Sequence, residues 1–252
     1  MKSTIKYRKL TKEEIVSLTR SGCSSDDWSG IQVAEGFDPS RYVNVTFSGN
    51  IKLGRLNGTH TDESGVRIRS GITNAHIHNC DIGSNVVICN IGDYIANYRI
   101  GDNVVIKNCS KIHTEGTSTF GNGTKVAVLN ETGGRTVRIW DKLSAHEAYI
   151  IALYRHRYKA ILNMEKMVSD YSESVRSDRG LIGDGSTIVS CRNIKNVRIG
   201  PHSRIDGAIS LDEGSINSCI EDPVFIGPGV IMEHFIVCSG SIVTESTLID
   251  KC

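Results

Sequence analysis

Histidine side chains offer the clearest route to catalysis in this sequence, because a neutral imidazole accepts a proton near neutral pH. His113 directly follows Ile112 of a regular apolar pattern, and the chain then leaves that pattern through a polar segment, 114–119. Loops that leave a rigid scaffold are common places for functional groups. We therefore predict that His113 is a catalytic general base.

A polar loop further along the chain carries groups suited to anion binding. Glu131 is predicted to assist His113 in catalysis. The substrate-binding candidates are Asn130, Gly133, Gly134 and Arg135. A guanidinium, or the backbone N–H groups of a Gly-Gly pair, would hold a phosphate or carboxylate. The open alternative is that this loop is only a hydrogen-bonded connector between the apolar repeat and a helix.

The remaining histidines are assigned structural roles. His76 and His78 are interpreted as wall residues of a strand, of which one faces outward. His202 is interpreted as a corner residue and His146 as a surface residue of a helix. The histidine spacing does not match a three-histidine zinc site, so no metal is predicted. No glycine-rich nucleotide-binding loop is recognisable in the sequence.

A six-residue apolar period positions these side chains. The units 82–88, 100–106, 182–188 and 199–205 all have the pattern Ile-Gly-x-x-x-x-Ile. One unit makes a short strand and a corner, where Gly or Asn takes the strained backbone conformation. Three units complete a coil of about 18 residues, and coils stack at about 4.8 Å. We predict a mainly β fold in which the isoleucines of these units face inward.

The pattern divides the chain into four predicted regions. An N-terminal cap spans 1–65 and contains a short helix at 12–20, which begins with a Thr11–Glu14 capping box. The other predicted regions are a first β-helix block at 66–139, a helical insertion at 140–180 and a second block at 181–252. Because the repeat is still running at the last residues, we interpret the second block as truncated.

The insertion is predicted to be one long α-helix. Ser144 and Glu147 form a second capping box, and no Gly or Pro follows until about Ser177. Apolar residues then recur at three- and four-residue spacing over 154–175, as in a coiled-coil seam. Such a helix of about 32 residues needs a partner surface. We expect a homo-oligomer that assembles through the 145–177 helix or through the β wall.

Charge and cysteine usage limit the class of protein. Lys and Arg total 29 against 28 Asp and Glu, which does not indicate nucleic-acid or membrane binding. Four of the eight cysteines end an Ile-x-(Asn/Ser)-Cys pattern, which predicts small buried thiols rather than disulfides. The N-terminus resembles no secretory signal, and no apolar run is long enough to span a membrane. We predict a cytoplasmic protein.

The Ile-Gly-x-x-x-x-Ile units resemble the hexapeptide-repeat superfamily, whose members are sugar and amino-acid acyltransferases and related proteins. The resemblance implies a left-handed parallel β-helix with a single catalytic histidine in a groove between subunits. The whole chain also looks like the N-terminal part of a longer uncharacterised family of anaerobic bacteria. The segments 7–11, 37–49 and 128–135 carry that second likeness, which implies no known activity.

Two functions follow from these features. The first is a transferase that acts on a sugar, nucleotide-sugar or small amine, with an acyl-CoA or nucleotide as donor. The second is a non-catalytic β-helix scaffold or binding module that assembles through its long helix. Superfamily resemblance favours the enzyme, although a fold does not by itself establish a site. Neither the substrate, the donor nor the oligomer number follows from the sequence.

Overall fold

The computed structural model describes residues 6–62, 64–128 and 134–252, and the chain is mainly β. Its helices are α1 (Lys12–Arg20), α2 (Ala145–Leu153) and α3 (Tyr158–Val175), with two 3₁₀ helices at Trp28–Gly30 and Pro39–Arg41. The strands are β1 (Tyr7–Lys9), β2 (Ser24–Ser25), β3 (Ile31–Ala34), β4 (Tyr42–Ser48), β5 (Ile51–Leu53), β6 (Thr59–Thr61), β7 (Arg67–Arg69), β8 (Gly71–His78), β9 (Asp81–Ile82), β10 (Val87–Cys89), β11 (Tyr94–Ala96), β12 (Tyr98–Ile100), β13 (Val105–Lys107), β14 (Lys111–His113), β15 (Lys125–Ala127), β16 (Thr136–Arg138), β17 (Gly180–Ile182), β18 (Thr187–Val189), β19 (Asn193–Ile199), β20 (Arg204–Asp206), β21 (Ser210–Asn217), β22 (Phe225–Ile226), β23 (Ile231–Cys238), β24 (Ile242–Val243) and β25 (Leu248–Asp250).

A single 21-stranded mixed sheet dominates the fold. Its described pairings are parallel, except that β1 runs antiparallel to β3. Two small antiparallel hairpins, β6–β7 and β15–β16, form sheets of their own. The prediction of a mainly β protein is confirmed. The large sheet is mixed and is not closed, so the left-handed β-helix stays a prediction.

Isoleucines in register form the core of the large sheet. Ile72, Ile88, Ile106, Ile188 and Ile205 pair each with the next, and each side chain has 0% exposure. Neighbouring parallel strands lie about 4.8 Å apart, so these side chains stack in one continuous column. Burying each isoleucine contributes about 1.5–3 kcal/mol to stability. The predicted inward orientation of Ile82, Ile88, Ile100 and Ile106 is confirmed, since all four are buried.

Asparagines turn the chain at one set of corners between strands. Asn74, Asn90 and Asn108 have φ of 51°, 56° and 53°, in the left-handed region that Asn tolerates better than most residues. Their amides form a ladder: Asn44 donates to Asn74 at 3.0 Å, Asn74 to Asn90 at 3.0 Å, and Asn90 to Asn108 at 3.1 Å. The corner role predicted for asparagine is confirmed at these positions.

The strand pairings place the boundaries of the insertion at other residues than the predicted blocks 66–139 and 140–180 do. Along the chain, the strand of the large sheet that follows β14 is β17, which pairs directly with β12. Residues 114–179 therefore form one insertion, and the hairpin β15–β16 belongs to it rather than to the first block. The region 1–65 also differs from a separate cap, because β1–β5 are strands of the large sheet. Its predicted helix is confirmed as α1, with the capping box present.

The prediction of one long inserted helix is wrong. The Ser144–Glu147 capping box starts α2 as expected, but α2 ends at Leu153 and α3 starts at Tyr158. Arg155 Nη2 donates to the backbone oxygen of Thr136 on β16 at 2.6 Å. The chain leaves the helical path where it makes this contact, which a residue-spacing pattern does not encode. None of the helices among the described residues combines the length and apolarity needed to span a membrane.

Asp141 fastens the insertion to the large sheet. Its backbone N–H donates to Asn122 Oδ1 at 2.9 Å, and its Oδ2 accepts from Tyr171 on α3 at 3.1 Å. Asn217 of β21 donates to Asp141 Oδ1 at 3.3 Å. The Trp140 ring meets the Tyr171 ring edge-on at 5.1 Å between centroids. These contacts tie the hairpin, α3 and the sheet together at one point.

The repeated cysteines are mostly inward-facing thiols. Cys80, Cys109 and Cys191 are buried, and each Sγ donates to a backbone carbonyl. Burial raises the pKa of the Cys80 thiol to about 12 and so keeps it protonated. The predicted buried thiol is confirmed at these three positions, whereas Cys219 of the same pattern is half-buried.

Candidate functional site

His113 lines a groove of about 440 Å³ on the outer face of the large sheet, where the chain departs into the insertion. Side chains alternate along a strand, so Lys111 and His113 face the groove while Ile112 between them is buried. Tyr94 lies opposite Lys111 on β11. His76 of β8 lines the far part of the groove. The site is therefore built from four neighbouring parallel strands, β4, β8, β11 and β14, and the start of the insertion.

The His113 imidazole is buried, and one of its ring nitrogens is unpartnered among the described residues. The residue is 8% exposed, and its Nδ1 has no hydrogen-bond partner within the described residues. Its ring meets the Tyr94 ring edge-on at 6.0 Å between centroids. Burial lowers the pKa of His113, and the positive charges of Lys111 and Lys195 lower it further, against an opposing effect of Glu115. The imidazole is consequently neutral at pH 7.

Lys111 supplies a positive charge beside His113. Its Nζ lies 4.6 Å from the centroid of the Tyr94 ring, and the interaction with Tyr94 raises the pKa of Lys111. The neighbouring Lys195 differs, because its Nζ forms a salt bridge of 3.3 Å with Glu115 Oε2. Among the described side chains no salt bridge neutralises Lys111. The groove therefore favours a ligand that carries negative charge.

A hydrogen-bonded chain occupies the other end of the groove. Ser48 Oγ lies 3.2 Å from His76 Nε2 and 2.8 Å from His78 Nδ1. His78 Nε2 lies 3.0 Å from Asn79 Nδ2. Both histidines face the groove on the outer face of the sheet, which corrects the expectation that only one of them faces outward. Residues two apart in a strand share a face, and Ile77 between them is buried.

The described part of the predicted anion-binding loop does not line this groove. Asn130, Glu131 and Gly133 lie outside the described residues, so their predicted roles stay predictions. Gly134 and Arg135 are exposed at the start of the strand β16, and neither lines the groove. Sequence reasoning missed Lys111 and Tyr94 instead. Strand alternation around Ile112 could have placed Lys111 beside His113, whereas Tyr94 follows only from the register between strands.

One group of side chains elsewhere has the composition of a metal site. Ligand atoms of Glu233, His234 and Asp250 lie within 4.8 Å of one another. These residues are exposed or half-exposed, and Lys251 Nζ lies 3.5 Å from Asp250 Oδ2. A lysine therefore already balances part of the negative charge. The group lies at the far end of the outward row that begins near His113, and it takes no part in the groove.

Comparison with known proteins replaces the predicted resemblance. The identification with the hexapeptide-repeat superfamily is wrong: the family model that matches, over residues 7–252, is described as "Domain of unknown function (DUF4954)". The mixed sheet also differs from a simple β-helix.

A relative from Treponema pallidum (strain Nichols), described as an uncharacterized protein, is 31% identical over 245 residues. The match covers 93% of this chain and 34% of the relative, so the chain spans about a third of the relative's length. The family model covers nearly all of the chain, which is sufficient to assign it. The chain belongs to the DUF4954 family.

Proposed function

We propose that the groove around His113 is the acceptor site of a group-transfer enzyme. His113 takes a proton from a hydroxyl or amine as that group attacks an acyl-CoA or nucleotide donor. The thioester or phosphoanhydride bond of the donor breaks, and CoA or a phosphate group leaves with the proton. The observation that carries the proposal is the buried imidazole whose Nδ1 has no partner among the described residues. A buried donor or acceptor without a partner costs about 1–3 kcal/mol. Such a cost is accounted for if a substrate completes the hydrogen bond.

The positive charge of Lys111 favours an acceptor molecule that carries a negative charge. Lys111 and His113 are two residues apart on one strand, so their Cα atoms are separated by roughly 6.5 Å. A phosphate or carboxylate on Lys111 would leave a hydroxyl or amine of the same small molecule within reach of His113. A sugar phosphate, a nucleotide-sugar or an amino acid has this spacing. Neutral sugars would lack the contact with Lys111.

A left-handed parallel β-helix is the scaffold that we propose for this site. Strands of the large sheet pair in parallel about one coil apart, as Val87 with Val105. Residues with left-handed backbone recur in columns at the corners, for example Asn79, Asn97 and Asn196. Both features support a chain that turns around a common axis. A rigid wall of this kind would hold His113 and Tyr94 at a fixed separation.

A non-catalytic scaffold is the second candidate, and a surface on the insertion favours it. Tyr149 is 55% exposed and Tyr158 is 68% exposed, and both lie on the two inserted helices. The rings of Tyr149 and Tyr154 lie 5.9 Å apart beside a cavity of about 540 Å³. Exposed aromatic patches of this kind are typical of protein interfaces. A second copy of the chain is the partner that we propose for it.

The experiment that tests the enzyme measures release of free CoA from acetyl-CoA over a panel of sugar phosphates, nucleotide-sugars and amino acids. The wild-type protein is expected to turn over with at least one acceptor. His113→Ala should lower kcat by about 10²–10⁴, the usual contribution of a general base.

His202→Ala is the matched control, because His202 is an exposed corner residue outside this groove. Its kcat should equal that of the wild type. Unchanged turnover in His113→Ala would exclude the proposed role of His113. Absence of turnover with acetyl-CoA and with nucleotide donors, together with concentration-dependent self-association, would favour the scaffold.

A further inference from the structure

We propose that Ser48 and His76 form a second reactive centre, a nucleophile–base pair that accepts acyl groups from esters or thioesters. The two residues lie at the opposite end of the groove from His113 and are independent of the proposed transfer there. A serine hydroxyl becomes a nucleophile when an imidazole is placed to take its proton. The direction of each hydrogen bond around Ser48 carries the argument.

Asn79 determines which nitrogen of His78 carries the proton. The backbone N–H of Asn50 donates to Asn79 Oδ1 at 2.9 Å, so the other end of that amide, Nδ2, is the donor. Asn79 Nδ2 lies 3.0 Å from His78 Nε2, which must accept. Gly49 leaves room for the amide, since a Cβ there would lie 2.2 Å from Asn79 Oδ1. In neutral His78 the proton therefore resides on Nδ1.

The same reasoning extends to Ser48 and His76. His78 Nδ1–H donates to Ser48 Oγ at 2.8 Å, which occupies a lone pair of the hydroxyl. The hydroxyl proton of Ser48 then has His76 Nε2, at 3.2 Å, as its acceptor. The His76 ring is held edge-on to Tyr94, with 6.4 Å between centroids. Ser48 is thus held between two imidazoles, with its proton directed at the one that can accept it.

The chemistry of this pair is an acyl transfer to serine. Ser48 Oγ attacks the carbonyl carbon of an ester or thioester, and its proton passes to His76 Nε2. The tetrahedral intermediate collapses, the bond to the alcohol or thiol breaks, and the leaving group takes the proton from His76. Water then cleaves the acyl-serine by the same proton route. An ester is converted to a carboxylic acid and an alcohol, and the serine is restored.

The distance between the two centres makes them separable by experiment. Ser48, His78, Ala96 and His113 follow one another across four neighbouring strands. Three strand spacings correspond to about 14 Å. A carbonyl group at Ser48 is therefore out of reach of His113, and each centre is expected to act without the other.

A fluorophosphonate probe, which reacts with activated serines, tests the proposal on the intact chain. The wild-type protein should gain the mass of one adduct, localised by peptide mass spectrometry to Ser48. Ser48→Ala should lose the adduct. His76→Ala should slow labelling by about 10²–10⁴, as expected for loss of a general base.

Two controls keep the outcomes distinct. Ser24→Ala removes a hydroxyl whose partner among the described residues is Thr46 Oγ1, at 3.2 Å, rather than a histidine, so its labelling should match the wild type. His113→Ala should also be labelled at the wild-type rate, whatever the result for group transfer. No adduct on Ser48, or an adduct whose rate is unchanged in His76→Ala, would overturn the proposal. Thermal unfolding of each variant checks that it is folded.

Discussion

A single imidazole, His113, combines two properties that are rarely found together on a protein surface. It belongs to an outward-facing row of the sheet, and residues 114–116 of the insertion line the same groove, yet His113 is only 8% exposed. Desolvation disfavours its charged form, and Lys111 adds electrostatic repulsion. Folding therefore prepares a base whose Nδ1 has no hydrogen-bond partner among the described residues. The local positive charge serves both to keep His113 neutral and to attract an anion.

The electrostatic link between Lys111 and His113 gives a prediction about proton binding. The pKa of His113 lies below its ordinary 6.5, so its NMR titration should be centred below pH 6.5 in the folded protein. Lys111→Met removes one cause of the lowering and should move that titration to higher pH. Lys111→Arg retains the charge and serves as the control. A wild-type midpoint above 6.5, or no movement in Lys111→Met, would contradict the assignment.

The same shift has a defined sign for stability. The unfolded chain binds the His113 proton more readily than the folded chain does, so the free energy of unfolding falls as pH drops below about 6.5. Above that pH the residue is neutral in both states and contributes no pH dependence. The free energy of unfolding continues to fall as the pH is lowered, until the pH is below the pKa of His113 in the folded protein. Lys111→Met should reduce this acid sensitivity, in agreement with its effect on the titration.

His113 was predictable because it follows a core isoleucine at the point where the repeat ends. The position of Lys111 beside His113 could also have been predicted, because side chains alternate along a strand and Ile112 lies between the two. Ser48 and His76 were not, because their contact joins residues 28 positions apart and depends on the register of β4 and β8. Arg135 is a different case: a loop rich in polar residues suggested a binding role, Arg135 does not line the groove of His113, and that role stays a prediction.

The corner asparagines explain how strands as short as three residues hold their register. Asn74 and Asn90 each accept one amide hydrogen bond and donate another, in a ladder that runs from Asn44 to Asn108. Their backbones occupy a conformation that costs most other residues about 1–2 kcal/mol. Asparagine therefore suits both the left-handed backbone and the side-chain contact between neighbouring segments of the sheet. A slip of one residue would break the ladder and the isoleucine column together.

Substitutions at Asn90 separate these two contributions. Asn90→Ala loses both amide hydrogen bonds and keeps the unfavourable φ of 56°, so unfolding should become easier by about 2–4 kcal/mol. Asn90→Gly loses the hydrogen bonds but tolerates the backbone, and its loss should be smaller. Asn57→Ala, at an exposed site, should change stability by less than about 0.5 kcal/mol. Urea unfolding measures all three; equal losses in Ala and Gly would contradict the role of φ.

The helices show where local patterns lose their predictive value. Both capping boxes form as the sequence indicates, because a cap depends on residues three positions apart. The break between α2 and α3 occurs without Gly or Pro, at the residues around Arg155. That arginine also contacts Glu165, at 3.9 Å, as well as the backbone of Thr136. The interruption is specified by partners distant in sequence, which apolar spacing cannot reveal.

At the scale of the whole molecule, the insertion is part of the candidate site. The chain leaves the sheet after His113 and returns at β17, and its first residues, 114–116, line the groove. Several contacts hold this departing segment against the sheet, and two of them involve Asn196 and Glu213. The backbone N–H of Glu115 donates to Asn196 Oδ1 at 2.8 Å, and Ser118 Oγ donates to Glu213 Oε2 at 2.7 Å. Residues of the second half of the sheet therefore hold the segment that lines the groove beside His113.

Asn196 joins these contacts, because its Nδ2 also donates to Glu213 Oε1 at 2.6 Å. Its backbone is left-handed, with φ of 52°, so glycine can replace it without backbone strain. Asn196→Gly removes both amide contacts while the corner remains possible. We expect the segment 114–118 to loosen, and hydrogen exchange at its backbone amides to accelerate.

Loosening that segment should also rehydrate His113, and its NMR titration should move upward toward pH 6.5, since desolvation is the largest cause of its lowered pKa. Asn103→Gly is the matched control: it sits at a corner with φ of 57° but lies outside the His113 groove. That variant should leave both the exchange at 114–118 and the titration unchanged. If Asn196→Gly speeds exchange but leaves the titration in place, the insertion does not control the charge state of His113. If neither changes, Asn196 does not hold the segment.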